Sequence, residues 1–313
     1  NDLAGEVREI IIKKVSKTGG HMGPNLGFIE PTIAMHYVFN SPVDKIVYDV
    51  SHQCYTHKIL TGRKDNFIDE EKYEDISGYT NPHESKHDFF QIGHTSTSIS
   101  LATGLAKARD VKNEKGNVIA VIGDGSLTGG EAYEGLNNAA VLNSNIIIVV
   151  NDNEMSIAKN QGGLVGHLDT LRKTNGKSEC NMFKALGFDY YYVEDGNDVE
   201  SLINTFKAVK DTNKPVVVHI HTNKGKGYKF AEENKEAGHW VMPSDFDYSK
   251  MPKESYSSIL ADFISKKCEN NEPFVGITAA TPTVCGFTPD LREKLGKHYV
   301  DVGIAEQHAV ALA

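Results

Sequence analysis

Short apolar runs alternate with helical segments along most of this chain, and this alternation limits its fold more than any other feature. Runs that are apolar along their whole length are typical of strands buried on both faces, as in a parallel sheet that helices cover on both sides. The fold class is therefore predicted as α/β. The predicted strands are Ile46–Val50, Val118–Ile122, Ile146–Val150, Asp189–Val193 and Val216–Ile220.

Helices are predicted where apolar residues recur at helical spacing. The first opens the chain and is predicted to stop at Gly19-Gly20, because glycine commonly ends a helix. The others are Glu30–Phe39, Gly130–Leu142 and Val199–Val209.

The pattern lapses between about Gly238 and Ser255, where Gly, Pro, Ser and Asp predominate as they do in linkers. A second α/β pattern follows, with a helix over Tyr256–Lys267 and strands over Phe274–Thr278 and Tyr299–Ile304. We predict one complete domain over 1–240, a linker over 241–255 and the start of a second domain over 256–313. We expect the chain to be part of a longer polypeptide.

Composition narrows the possible functions. The chain has 313 residues and a net charge of −9, which makes a basic nucleic-acid-binding surface unlikely to form. It has no apolar run long enough to cross a membrane, and no signal peptide is expected. The four cysteines form no CxxC pair, so neither a disulfide framework nor a zinc ribbon is predicted, and a cytoplasmic location is expected.

Polar residues follow two consecutive predicted strands. Gly123-Asp124-Gly125-Ser126 follows one strand, and Asn151-Asp152-Asn153-Glu154-Met155 follows the next. In open parallel sheets, ligands bind beyond the carboxyl ends of the strands. A carboxylate and an amide oxygen brought together there suit Mg²⁺, which takes its remaining ligands from water and a bound diphosphate. The glycines allow close approach of phosphates, and the next helix offers its N-terminus.

Longer motifs around these loops resemble those of a known enzyme family. The stretches GDGSLTGGEAYEGLNNA and NDNEMSI resemble the thiamine-diphosphate-binding motif. The stretches SHQCYTHKILTGR, GHTSTSISLATGLA, TNKGKGY and DVGIAEQHAVALA narrow the resemblance to the 1-deoxy-D-xylulose-5-phosphate synthase family, a relative of transketolase. It runs from about Thr18 to the last residue. The resemblance implies a thiamine-diphosphate-binding fold, with a diphosphate-binding domain over 1–240 and a truncated pyrimidine-binding domain over 256–313.

The resemblance implies thiamine diphosphate and Mg²⁺ as cofactors. Asp124, Asn153 and the backbone carbonyl of Met155 match the metal ligands. Glu306 matches the glutamate that hydrogen-bonds the aminopyrimidine ring, and burial is expected to raise the pKa of its carboxyl so that it holds a proton. The positions that match the cofactor lining are His52, Gly93, His94, Thr95, Gly125, Ser126, Asn153, Tyr228 and Glu306.

Four histidines are candidates for proton transfer, since imidazole titrates near neutral pH. The resemblance assigns His21 and His239 to substrate orientation and proton transfer. It assigns His52 and His94 to the cofactor and its intermediate, so that Glu306, His21, His239 and His52 form the catalytic set. The individual roles are interchangeable among the histidines. Lys224 in TNKGKGY is either a further site residue or a solvated loop charge.

The implied reaction joins pyruvate to D-glyceraldehyde 3-phosphate, giving 1-deoxy-D-xylulose 5-phosphate and CO₂. The product is a precursor for isoprenoid, thiamine and pyridoxal biosynthesis in this family. Binding two reactants in one cleft contributes to the rate because translational freedom is already lost. The resemblance also implies a homodimer, with no nucleic-acid or membrane partner.

Three features depart from the family pattern. Pro24-Asn25 stands where Ser-Gly is common, which removes a hydroxyl near the substrate. The identity of the acceptor substrate is therefore left undecided. Ser51 stands before His52 where glycine is usual. The stretch Leu164–Asn181 is short, which predicts a more open site or one that the partner subunit covers.

Other functions compete with this one. Transketolase-type ketol transfer between sugar phosphates uses the same cofactor, although the stretches IAEQHA and HKILTGR count against it. His83-Glu84-Ser85-Lys86-His87 fits the H-E-x-x-H spacing of zinc hydrolases. Its polar, turn-rich surroundings instead favour a surface loop near the sugar-phosphate entrance. A non-catalytic assembly module is the third alternative.

Overall fold

A parallel sheet of five strands lies at the centre of the computed structural model, which describes residues 1–250, 252 and 254–313. The described strands are β1 Gly20–His21, β2 Lys45–Tyr48, β3 Val118–Gly123, β4 Ile146–Asp152, β5 Asp189–Val193, β6 Pro215–His221, β7 Trp240–Val241, β8 Gly276–Thr278 and β9 Tyr299–Asp301. The central sheet has the order β2-β3-β4-β6-β5, and all its neighbouring strands run parallel.

Helices cover both faces of this sheet. The described α-helices are α1 Asp2–Thr18, α2 Gly23–Gly27, α3 Ile29–Val38, α4 Tyr55–Lys58, α5 Asp65–Ile68, α6 Ser98–Val111, α7 Gly130–Ala139, α8 Gly163–Lys173, α9 Met182–Leu186, α10 Val199–Val209, α11 Lys229–Glu233, α12 Tyr256–Glu269, α13 Pro289–Leu295 and α14 Glu306–Leu312. Helical turns of other types lie over Ile59–Arg63, Glu70–Asp75, Ser126–Thr128, Tyr248–Lys250 and Gly296–His298. The predicted α/β class with helices on both faces is confirmed.

Each central strand sends alternate side chains to opposite faces of the sheet. In β3, Ala120 packs in a core with residues of α6, α7 and α8, whereas Val121 packs in a second core with residues of α3 and α10. Both side chains are fully buried. A continuous apolar run is therefore needed in the strand, because polar residues would lie in a core on either side.

A third core joins the N-terminal helix to the loops above the sheet. Val7, Ile11 and Val15 of α1 pack with Leu26 of α2 and with Tyr55 of α4. Helix α1 ends where Gly19 adopts a φ of 74°, a conformation that glycine takes without steric cost. The chain can then turn directly into β1, which brings His21 to the sheet edge where the loops collect.

Residues 256–313 build a separate, smaller cluster. The short strands β8 and β9 pair in parallel, and Ile264 of α12 packs with Phe287, Leu291 and Leu295. Thr288 caps α13 by accepting a hydrogen bond from the Leu291 N–H, and Pro289 occupies the first turn. The boundaries 1–240 and 256–313 remain predictions. Within the predicted linker 241–255, Met251 and Lys253 lie outside the described residues.

Most predicted elements are present with ends that differ by a few residues. Strand β2 ends at Tyr48 rather than Val50, because Val50 has a positive φ of 58° that no strand accommodates. Helix α7 stops at Ala139, and the strand predicted over Tyr299–Ile304 ends at Asp301. The prediction missed helix α6 altogether, since its Ser- and Gly-containing sequence has little amphipathic periodicity.

Candidate active site

The loops at the carboxyl ends of β2, β3 and β4 enclose a cavity of about 310 Å³. The C-terminal part of the chain closes one side of this cavity with Ala279, Ala280 and Thr281. Most of the predicted site residues line it: His21, His52, Gly93, Thr95, Asp124, Gly125, Ser126, Asn153, Met155, Lys224, His239 and Glu306.

Asp124 and Asn153 lie side by side at the ends of β3 and β4. The Asn153 N–H lies 3.3 Å from Asp124 Oδ2, which also accepts a hydrogen bond from Asn160 Nδ2 at 2.8 Å. Asp124 Oδ1 accepts from the Gly125 N–H at 2.9 Å. The Asn153 amide oxygen is in turn 3.3 Å from the Met155 N–H. The loop after each strand is thus folded around a single carboxylate.

Burial raises the pKa of the Asp124 carboxyl well above its usual value, and the nearby Asp152 carboxylate raises it further. Asp152 itself is also buried, but hydrogen bonds from His219 and Arg172 keep its pKa below the usual value. A divalent cation beside Asp124 would stabilise the charged form of its carboxylate. Carboxylate, amide and backbone oxygens are ligands that Mg²⁺ accepts, so these residues fit the implied metal.

Gly125 has no space for a side chain. A Cβ atom there would lie 2.5 Å from Ser156 Cβ, on the loop that follows Asn153. The glycine therefore lets the loop after β3 touch the loop after β4. The 3₁₀ turn Ser126–Thr128 and then α7 follow immediately, and Gly125 and Ser126 line the cavity here.

Three predicted histidines meet at the opposite end of the cavity. The ring of His21 lies 4.9 Å from that of His52 and 5.4 Å from that of His239, measured between centroids. The rings of His52 and His239 are stacked at 5.5 Å. Strand pairing sets this geometry, because His21 of β1 pairs with Trp240 of β7, the residue after His239.

Burial lowers the pKa of all three imidazoles, and the Lys224 charge adds to the effect. For His21 the pKa falls to about 4. At neutral pH the rings are therefore uncharged. His52 Nδ1 is buried without a hydrogen-bond partner among the described residues. A buried polar atom left in this way at a cavity wall is suited to contact a ligand.

Lys224 is a buried residue and not a solvated loop charge. Its ammonium group donates to the Ser156 carbonyl and lies 3.0 Å from His239 Nδ1. Only 2% of its surface is exposed, and burial lowers its pKa to about 8. Lys224 thus connects the histidine end of the cavity to the loop that carries Asn153 and Met155.

The turn that carries His52 is strained. Val50 and Ser51 both have positive φ, of 58° and 70°, which costs energy for residues other than glycine. The Ser51 hydroxyl donates to the Ile92 carbonyl and accepts from the Thr80 N–H. These two hydrogen bonds offset part of the strain and fix the loop before Gly93.

Three predicted site residues are placed differently from the rest. His94 is exposed, bonds to the Thr95 carbonyl and does not line the cavity. Tyr228 packs against the third core with α1 and also lies outside the cavity lining. Glu306 lines the cavity as the first residue of α14, but its side chain is exposed, so the expected burial is not found in the described part of the chain.

Sequence reasoning missed several residues that contribute to the site. Asp49 accepts the Ser96 and Ser98 N–H groups and so holds the start of α6 against the cavity. Gln53 and Tyr79 line the cavity, and Asn160 bonds to Asp124. Gln53 follows His52 in the SHQ stretch and could have been found there. Tyr79 and Asn160 lie in polar loops whose course the sequence does not reveal.

The zinc-hydrolase alternative lacks its structural requirement. Residues 83–87 form turns and no helix, so the two histidines are not presented on one helical face. Glu84 instead forms an ion pair with buried Lys58, and His87 bonds to Ser41. No cluster of three or more His, Cys, Asp or Glu side chains suited to a metal occurs in residues 1–250, 252 and 254–313.

Comparison with known sequences identifies the family. The profile of 1-deoxy-D-xylulose-5-phosphate synthase matches residues 1–181 and 174–222 of this chain. The chain belongs to the 1-deoxy-D-xylulose-5-phosphate synthase family. The two matched segments overlap over residues 174–181, within the stretch predicted to be shorter than usual in this family.

Curated 1-deoxy-D-xylulose-5-phosphate synthases match the whole chain. The proteins from Caldanaerobacter subterraneus subsp. tengcongensis and Desulforudis audaxviator are 42% and 41% identical to it. The alignments cover 99% and 100% of this chain but 56% and 55% of those proteins. The chain thus spans a little over half the length of these relatives. With the first relative the alignment extends over 350 positions, so it includes residues that this chain lacks.

Solved structures support the fold. Transketolases from Leishmania mexicana and Campylobacter jejuni superpose on this chain with a TM-score of 0.59 each, at 16% sequence identity. They cover 97% and 99% of this chain, which covers 60% and 61% of theirs. The expected thiamine-diphosphate-binding fold is thereby confirmed. Among the helices in the described part of the chain, none is long and apolar enough to cross a membrane.

Proposed function

We propose that this chain forms the N-terminal part of a thiamine-diphosphate- and Mg²⁺-dependent enzyme that condenses pyruvate with D-glyceraldehyde 3-phosphate. The products are 1-deoxy-D-xylulose 5-phosphate and CO₂. The observation that carries the proposal is the Asp124 carboxylate, which is buried against Asn153 at the cavity wall. Membership of the family supports the same conclusion.

In this proposal Asp124, Asn153 and the Met155 carbonyl hold Mg²⁺, and Gly125 and Ser126 face the diphosphate. When bound, thiamine diphosphate supplies the nucleophilic carbon and the electron sink for loss of CO₂. Glu306 hydrogen-bonds the aminopyrimidine ring. Gly93 and Thr95 line the part of the cavity between the diphosphate and the aminopyrimidine ring. His94 and Tyr228 do not line the cavity and would need to move to reach the cofactor.

The histidine end of the cavity suits the substrates. His21, His52 and His239 are uncharged at neutral pH, so each can form a hydrogen bond with a substrate hydroxyl group. The negative charge of a bound substrate would raise their pKa values toward the range that proton transfer requires. Lys224 brings a positive charge to the same place, which would attract the carboxylate of pyruvate. General acid–base groups of this kind typically contribute a factor of about 10²–10⁴ to a rate.

Cofactor binding is tested by thermal-shift titration of the full-length protein that contains this chain. Thiamine diphosphate with Mg²⁺ is expected to raise the melting temperature progressively, since a ligand that binds only the folded state stabilises it. Asp124→Ala is expected to abolish the rise. Asp169→Ala, a change at an exposed carboxylate on α8, serves as the control and is expected to retain it. An unchanged rise in Asp124→Ala would contradict the metal assignment.

The reaction is tested with isotopically labelled pyruvate. Release of CO₂ that depends on added glyceraldehyde 3-phosphate is the expected result. Transketolase-type ketol transfer between sugar phosphates, without CO₂, is the alternative, and the transketolase-like fold makes it the relevant comparison. That outcome would replace the proposed reaction while keeping the cofactor.

We also propose that the protein is a homodimer in the cytoplasm that supplies precursors for isoprenoid, thiamine and pyridoxal biosynthesis. The four cysteines are free, which suits a reducing compartment. Analytical ultracentrifugation of the full-length protein tests the dimer.

A further inference from the structure

We infer that Asn25 is a positioning residue that sets the separation of His21 and His52. It lies in α2, between the loops that carry the two histidines, and 1% of its surface is exposed. The inference rests on the proposed function, because it concerns the histidine end of the same cavity.

The Asn25 side chain joins three backbone segments. Its Nδ2 donates to the His21 carbonyl and to the His52 carbonyl, each at 2.8 Å. Its Oδ1 accepts from the Tyr55 N–H at 3.0 Å. The partners fix the orientation of the amide, because two acceptors face the nitrogen and one donor faces the oxygen. Both donors of the amide are therefore used, one for each catalytic loop.

Aspartate, leucine and serine lack this combination. A carboxylate has no hydrogen to give to two carbonyl groups, and a hydroxyl is too short and has one hydrogen. Without the amide, the loop before α2 and the loop before α4 lose their shared partner. The ring contact between His21 and His52, 4.9 Å between centroids, depends on the relative position of those loops.

Asn25 acts from outside the cavity. Pro24 lines the cavity, whereas Asn25, the next residue, is not among the lining residues and donates to the backbone of His21 and His52. Asn25 therefore positions the two histidines through their backbone and not by contact with a ligand.

Other charged and titratable groups face the same rings and stay in place when Asn25 changes. Lys224 contacts His239, and Tyr79 lies 5.9 Å from the His21 ring. The effect of a substitution at Asn25 is therefore attributable to the position of His21 and His52 and not to a new charge, provided that the substitute is neutral.

The test compares Asn25→Leu with Asn145→Leu in the full-length protein. Asn145 also joins separate segments, through Thr212 and Val118, but it lies before β4 at the opposite end of the sheet from the cavity. Both variants are expected to lose stability. Only Asn25→Leu is expected to lower kcat/KM, by about 100-fold, because misplacement of catalytic groups by about 1 Å has effects of that size.

The pH dependence separates positioning from stability. In Asn25→Leu the two rings gain solvent, so their pKa values rise toward about 6.5 and the acid limb of the kcat/KM profile moves to higher pH. Asn145→Leu is expected to leave the profile unchanged. If Asn25→Leu does not fold, Asn25→Ser, compared with Asn145→Ser, gives the same test with a smaller and neutral side chain.

Two results would overturn the inference. One is an Asn25 variant whose kcat/KM and acid limb match those of Asn145→Leu. The other is absence of a thermal shift by thiamine diphosphate and Mg²⁺ in the unsubstituted protein, which would remove the proposed function as well. A normal shift in Asn25→Leu, together with the loss of kcat/KM, is the supporting result, since Asp124 and Asn153 are untouched.

Discussion

The two parts of the chain hold their contributions to the cavity in different ways. In residues 1–240, Asp124 and Asn153 are buried and hydrogen-bonded to each other's loops. In residues 256–313, Glu306 reaches the cavity from an exposed position. The first part therefore holds its site residues in fixed positions. In the second part, Glu306 is exposed to solvent.

The hydrophobic core is also more extensive in the first part than in the second. Two buried clusters lie on the faces of the central sheet and a third joins α1 to the loops above it, while residues 256–313 have one cluster around Ile264 and Phe287. Helix α12 exposes Tyr256, Ile259 and Phe263. Contacts between the parts include hydrogen bonds from Arg292 and Thr283 to Glu236. The proposed metal ligands and the three histidines are thus held by buried packing, whereas the C-terminal groups are held by surface contacts.

The largest effect on stability is expected when one phenylalanine in each part is replaced by alanine and the two losses are compared. Phe206→Ala removes a fully buried ring of α10 and should lower the free energy of unfolding by about 3–5 kcal/mol. Phe263→Ala removes a ring that is 55% exposed and should change it by about 0.5 kcal/mol or less. Denaturant midpoints measure both. Equal losses of stability would contradict the conclusion that buried packing holds the first part more firmly than the second.

The next effect concerns pH. The pKa of His21 is about 4 in the folded state and about 6.5 when unfolded, so the unfolded chain binds the proton first as the pH falls. Stability should be fully present above pH 6.5 and should fall by up to about 3 kcal/mol toward pH 4. His21→Gln is expected to make this slope shallower in melting curves, although His52 and His239, whose pKa values are also lowered, still contribute to it. His83→Gln, a change at an exposed histidine, is the control. A slope in His21→Gln as steep as that of the control would contradict the assignment.

The smallest effect concerns the contact between the parts. Arg292→Ala removes a partly exposed ion pair with Glu236 and should cost about 0.2–1 kcal/mol, with less effect at high salt. Hydrogen exchange should rise in α13 and not in the central sheet. Lys294→Ala breaks the Lys294–Glu269 pair within the same part and serves as the control. An increase in exchange throughout β3 and β4 would show that the contact also supports the sheet.

The sequence predicts the central sheet well because burial on both faces leaves a local signal. The runs Val118–Ile122 and Ile146–Val150 have few polar residues, and the structure places strands there with similar ends. The proximity of Asp124 and Asn153 follows from the same reasoning, since adjacent parallel strands end at one edge. The assignment of these residues to Mg²⁺ remains a prediction.

Other features have no local signal. The bridge formed by Asn25 depends on two loops meeting, and the burial of Lys224 depends on packing against Ser156 and His239. His94 and Tyr228 show the limit of transferring roles by motif, because neighbouring residues such as Thr95 line the cavity while they do not. Tertiary contacts decide which side of a loop faces the ligand.

The pairing of β1 with β7 has a consequence for how the protein is made. His21 emerges early from the ribosome, but its partner strand at Trp240 and Val241 emerges only after the central sheet has been synthesised. Closing so long a loop carries an entropic cost that local contacts cannot offset. The histidine cluster is therefore expected to assemble late in biogenesis, on a sheet that already exists. A nascent chain released before this point would have the central strands but no assembled histidine cluster.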